Sequence, residues 1–294
     1  MEDMCGKRAV FLRKYDDDKV IARIKYQKMK KPTKKNTSIE CCHQFIVDTV
    51  QNPHEHDKPL FSNCTQFQDE AIITLQSDFV RVICTESHNN DTSHIIYEDM
   101  YAFSRKIQIS KPEINTETCK LQYNVLILGM QSMSLPRFLA SMPRTVRHFS
   151  EDSWLGFRAY NKVADETLPN LLAALTGKNM TSIIKECYAA MDDCNYLFIW
   201  KAFKDAGYVT AYGEDNLGSS FKREYTFHRA PTDHFMQPFF LNKQNYRRHN
   251  KSSLCAGRAS SGKQVLDYAV DFANTYKRDS FFGFFWINSF SRDE

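Results

Sequence analysis

No apolar run in this sequence is long enough to cross a bilayer, and the opening stretch, MEDMCGKRAVFLRKYDDDK, lacks the apolar h-region of a secretory leader. No CxxC pair occurs, and no Cys/His spacing of a zinc finger, so structural zinc is not expected. Charge of one sign is also lacking. With 39 Lys and Arg against 35 Asp and Glu, the net charge is only +4, which gives no electrostatic footprint for nucleic acid. There is no internal repeat and no low-complexity tract.

The 294 residues, 42% hydrophobic and 13% aromatic, suffice for one large α/β domain and a smaller module. One basic cluster stands out: Lys25, Lys28, Lys30, Lys31, Lys34 and Lys35 around Pro32. No aromatics interleave with it for base stacking, so it reads as a solvated loop. Nine cysteines and five Asn-x-Ser/Thr sequons, at Asn36, Asn63, Asn90, Asn179 and Asn250, suit an oxidising, lumenal or extracellular compartment. Two readings of the start follow: a cytosolic chain, or a secretory chain whose leader precedes Met1. The cysteines and sequons favour the second.

Texture divides the chain near residue 118. Residues 1–118 are polar and loop-rich, with short β-like runs at 71–75 and 79–84, and read as a small β-rich module. Its five cysteines, Cys5, Cys41, Cys42, Cys64 and Cys84, can staple a thin core or remain buried thiols. Residues 119–294 alternate apolar strands with amphipathic helices, as in a sheet covered by helices. The run YNVLILGM at 123–130 reads as a strand buried on both faces and central in the sheet. Helices are expected over 195–206, ended by Gly207, and over 261–277, with a strand at 208–212 and another, FFGFFWI, at 281–287. All three tryptophans, Trp154, Trp200 and Trp286, read as core.

Ligands of open α/β sheets collect at the carboxyl ends of strands. Gln131 follows the first of these strands and offers only a neutral carbonyl where a dication would want a carboxylate. Thr167, in DETLPN, reads as a helix N-cap with Pro169 in the first turn; its hydroxyl would lie at the positive end of the helix dipole. The segment NSFSRDE at 288–294 offers Asp293 and Glu294 as weak cation ligands beside Arg292. Arg258, just before the helix at 261, is a further candidate for meeting an anion.

Taken together, NVLILGMQSMS, MPRT, YNKVADETLPNLLAALTGK, GYVTAYGED, PTDHFMQPF and FFGFFWINSFSRDE resemble the domain of unknown function 229 branch of the alkaline-phosphatase/sulfatase superfamily. The resemblance implies an alkaline-phosphatase-like central β-sheet flanked by helices, incomplete at the C-terminus and preceded by the β-rich cysteine-containing module. It implies that Thr167 stands at the nucleophile position. Gln131 stands at the position of the first metal-binding aspartate, Arg292 where a histidine is usual, and Asp293 keeps the acid. The ancestral cofactor would be a divalent zinc pair; with these substitutions no cofactor is expected and the chain reads as catalytically inactive. The alternatives are a metal-dependent phosphoric or sulfuric ester hydrolase using Thr167, and an anion-binding protein in which Arg292 replaces the metal. The expected partner is a small phosphate- or sulfate-ester-like anion.

Overall fold

The computed structural model describes residues 5–29, 38–47, 60–87, 93–108, 123–150, 154–157, 159–187, 191–215, 227, 229–243 and 255–290. The expected boundary at 118 lies outside them, as do Cys119, Arg292, Asp293, Glu294 and all of the lysine cluster except Lys25 and Lys28.

The N-terminal part is antiparallel. Strands β1 (Val10–Asp16), β2 (Lys19–Ile24) and β6 (Ile72–Thr74) form one sheet. A second sheet runs β4-β3-β7-β8 and is built from β3 (Ser38–Val47), β4 (Leu60–Phe61), β7 (Phe79–Ser87) and β8 (His94–Ala102). Strand β5 (Thr65–Phe67) is also paired to β3. Side chains alternate across a strand, so β7 serves two cores. Val80, Val82 and Cys84 face β1 and β2, packing with Val10, Val20 and Ala22. Phe79 joins a core on the other side.

The C-terminal part carries a parallel sheet of order β11-β10-β14-β9, from β9 (Val125–Met130), β10 (Val209–Glu214), β11 (His234–Phe235) and β14 (Phe281–Ile287). Between β9 and β10 the chain forms α1 (Leu135–Ser141), α2 (Pro143–Ser150), α3 (Thr167–Thr176), α4 (Met180–Glu186) and α5 (Ile199–Asp205). After β11 come α6 (Gln237–Lys243), the β12–β13 ribbon (Cys255–Ala256, Ala259–Ser260) and α7 (Ser261–Thr275).

The aromatic strand β14 decides the layering. Phe282 and Phe284 pack with Leu172, Leu175 and Trp200 of the α3–α5 layer. Phe281, Phe285 and Ile287 point the other way, onto Val265, Tyr268, Ala269 and Phe272 of α7. That second core also takes in Ile46, Phe79 and Met100 of the N-terminal sheet, so α7 is buried between the parallel sheet and the β3-β7-β8 sheet.

Polar contacts reinforce this seam. His234 Nδ1 lies 2.6 Å from Asp78 Oδ2, and the Tyr268 hydroxyl donates to the same oxygen at 2.6 Å. The backbone N–H of Arg105 donates to Asp78 Oδ1, and His234 Nε2 meets the Tyr276 hydroxyl at 2.8 Å. Burial alone would raise the Asp78 carboxyl. The facing His234 and these donors outweigh it and hold the group below its usual value. Lys14 pairs with Asp271, and Lys106 with Asp279. Arg258, the further anion candidate, lies over the Tyr97 ring, and its Nη1 donates to the Lys7 carbonyl.

Four disulfides are formed. Cys41–Cys84 and Cys42–Cys64 lie within the N-terminal part, and Cys187–Cys194 within the α3–α5 layer. Cys5 does not staple its own module; it joins Cys255, 250 residues away.

Two further expectations are corrected. The strand YNVLILGM, here β9, is not central: β14 occupies the position between β10 and β9, and β9 has β14 as its only strand partner among the described residues. Leu126, Ile127 and Leu128 are accordingly 38%, 37% and 51% exposed. An apolar run records what a strand can bury, not where it sits in the strand order. Trp154 is likewise exposed, its ring meeting His148 edge-on and Phe149 at a tilt on the α2 surface, whereas Trp200 is fully buried.

Candidate functional site

The carboxyl ends of β9, β10 and β14 come together. Immediately after β9, the Gln131 N–H donates to the Ile287 carbonyl at 2.9 Å and so continues the ladder with β14 for one more residue. Ser132 then turns the chain at φ 54°, the left-handed region a non-glycine residue seldom adopts. Ser134 caps α1 by accepting from Arg137 N–H. Gln131 Oε1 is buried and makes no hydrogen bond among the described residues. The same is true of Trp286 Nε1, on the neighbouring strand. Trp286 lies against Gly129, where an added Cβ would stand 2.0 Å from its ring; only glycine admits the indole there. A buried acceptor and a buried donor are therefore left open at the same end of the sheet, a rare and costly condition.

Two carboxylates lie at the end of β10, inside the GYVTAYGED stretch. Asp215, 3% exposed, accepts from Asn288 N–H at 2.7 Å and from Ser289 N–H at 3.2 Å, with a further bond from the Ser289 hydroxyl. Glu214 Oε1 accepts from the Tyr212 hydroxyl at 3.0 Å, and its Oε2 from Asn288 Nδ2 at 3.3 Å. Burial, with Glu214 beside it, pushes the Tyr212 hydroxyl well above its usual value. Residue-type reasoning named neither carboxylate; the available signal was their position directly after a buried strand. Their present chemistry is to clamp the β14 exit, the turn from Asn288 to Ser289, onto the end of β10.

Thr167 is the first residue of α3, not its N-cap. The N-cap position is held by Glu166, with no side-chain cap bond, and Gly177 ends the helix at φ 69°. The Thr167 hydroxyl makes no hydrogen bond among the described residues. Its setting is fixed by Asn170, whose Oδ1 accepts from Val163 N–H at 2.7 Å while its Nδ2 donates to the Ala164 and Glu166 carbonyls. Asn170 thus ties the loop before Thr167 onto the first turn of α3. On the helix's inner face Leu168, Leu171, Leu172 and Leu175 anchor it in the aromatic core.

A pair of divalent cations would need several anionic oxygen ligands with free lone pairs. The described strand ends do not fit that demand: Gln131 is neutral, Thr167 carries no hydrogen-bonded base, and both Asp215 oxygens are engaged by the turn at Asn288. No group of three or more His, Cys, Asp or Glu side chains is arranged to hold a metal among the described residues. Arg292 and Asp293, the other sequence candidates, lie outside them.

The family described as "Protein of unknown function (DUF229)" matches residues 3–294. The chain belongs to that family. No curated protein and no solved structure matches it. Membership of this family therefore covers both the antiparallel N-terminal sheets and the parallel C-terminal sheet. No helix among the described residues is long and apolar enough to cross a membrane.

Proposed function

We propose that this DUF229 member is an alkaline-phosphatase/sulfatase-like protein of the secretory pathway that does not hydrolyse phosphoric or sulfuric esters. The fold part of this reading is supported by the parallel sheet with helices on both faces and by Thr167 at the start of a helix packed on that sheet. The secretory part is supported by four disulfides.

One observation carries the loss of activity. Where such an enzyme needs a carboxylate at the end of β9, Gln131 presents a neutral amide oxygen, buried and without a partner among the described residues. Without a metal or base beside it, the Thr167 hydroxyl is a weak nucleophile. The test is incubation of the purified chain with zinc and aryl esters of phosphate and sulfate. No turnover above the zinc blank is expected. Zinc-dependent turnover that Thr167→Ala abolishes would establish the hydrolase reading instead.

A second reading, a small anion held without metal, is favoured by Trp286 Nε1, a buried donor with no partner among the described residues. Arg292 would supply the charge. Phosphate or sulfate should then raise the melting temperature of the chain, and Arg292→Ala should remove the shift.

A further inference from the structure

Two of the five sequons lie within the described residues, and the fold exposes both asparagines. Asn63 is a knuckle between two tethers. On one side, Ser62 is stitched to β3: its N–H donates to the Phe45 carbonyl, its hydroxyl accepts from Phe45 N–H, and its carbonyl accepts from Gln44 Nε2. On the other side, Cys64 is bonded to Cys42. Asn63, Cys64 and Thr65 are all exposed, and the Asn63 side chain makes no hydrogen bond among the described residues.

Asn179 is the N-cap of α4. Its Oδ1 accepts from Ser182 N–H at 2.9 Å, so the amide is oriented with Nδ2 directed away from the helix end. Asn179 and Thr181 are exposed. The cap uses only the oxygen. The nitrogen, the atom that a glycan would occupy, makes no hydrogen bond among the described residues.

We propose that Asn63 and Asn179 carry N-linked glycans, which rests on the secretory reading above. The step joins Asn Nδ2 to the anomeric carbon of an oligosaccharide donated as its lipid pyrophosphate. The bond from that carbon to the pyrophosphate oxygen breaks, and the amide proton leaves with the lipid pyrophosphate. The glycan on Asn179 leaves the α4 cap intact, because Oδ1 remains free to accept.

The experiment maps the natural protein in two arms. Thiol alkylation before and after reduction reads whether the cysteines are paired. Digestion with a peptide N-glycosidase in ¹⁸O-water then marks each occupied asparagine as ¹⁸O-labelled aspartate. Label at both positions is expected, and in cells secreting the chain Thr65→Ala and Thr181→Ala should each remove one gel-mobility step. The Thr181→Ala variant keeps the Asn179 cap, so loss of its step is not a folding defect. Paired cysteines with an unlabelled asparagine would overturn the assignment of that residue while leaving the compartment reading standing. Alkylation of the same cysteines without prior reduction would overturn both.

Discussion

The face of the parallel sheet under α7 and the outer edge of that sheet at β9 are both built from apolar residues and have opposite fates. On the α7 side, a fifteen-residue helix buries Val265, Tyr268, Ala269 and Phe272 between two sheets. Beyond β9, α1 and α2 bury no residue at all, and Leu135, Leu139 and Phe149 stand exposed with Leu126, Ile127 and Leu128. The lesson is that burial of α7 depends on what the N-terminal sheets supply. They cover α7, and nothing among the described residues covers the outer edge of β9. Stability should therefore be concentrated in the cores flanking β14 and be low at the β9 edge.

The largest expected effect is on the covered side. Phe285 is fully buried against Tyr268 and Phe272, so Phe285→Ala should cost about 3–5 kcal/mol, read as a fall in the urea midpoint at unchanged slope. A cost no larger than that of Leu128→Ala would break the comparison. Asp78→Ala should cost a similar amount, about 3–5 kcal/mol, since it leaves His234 buried without its carboxylate. Because Asp78 belongs to the N-terminal part and His234 to the parallel sheet, the loss should appear as one cooperative transition; two separated transitions would show that the seam is dispensable.

The same contact gives the seam a pH dependence. The folded pKa of Asp78 is depressed below its ordinary 3.8, so its stabilisation is present above that value and is lost as pH falls below it. Asp271, which burial raises despite Lys14, runs the other way: its share falls as pH rises above 3.8. Urea midpoints should therefore drop as pH falls below 3.8, and that drop should flatten in Asp78→Asn.

Much of the covered side was legible in the sequence. The strand at 281–287 and the helix beginning at 261 stand where the apolar periodicity put them, and Gly207 has the positive φ, 83°, of a helix-ending glycine. Strand order was not legible, because YNVLILGM and FFGFFWI are both continuous apolar runs and only pairing shows that the second is internal. Nor was the long-range bond of Cys5 to Cys255, since spacing along the chain does not encode distance across it. At the candidate site, Gln131 and Thr167 were singled out by positions that the structure bears out only as positions, after β9 and at the start of α3. Asp215, Glu214 and Asn170 were missed because their work is to hold backbone turns, which only coordinates reveal.

A smaller effect tests the one tight contact on the open side. Gly129→Ala would place a methyl group against the Trp286 ring and should cost about 1–3 kcal/mol through overpacking. It should also shift tryptophan fluorescence, because Trp286 must move. A neutral outcome would mean that β9 yields easily, which would extend the loose region inward from its edge.

The smallest effect lies at that edge itself. Leu128 is half exposed and has no strand beyond it among the described residues, so Leu128→Lys should change stability by no more than about 0.5 kcal/mol. Its consequence should be colloidal instead. An apolar strand edge with free N–H and C=O groups is a template for pairing with another chain, and a lysine there opposes such pairing. Light scattering at equal concentration should therefore show less association for Leu128→Lys than for the parent chain. If the lysine instead cost several kcal/mol, the outer edge of β9 would have to be packed, and the contrast between the face under α7 and the β9 edge would fall.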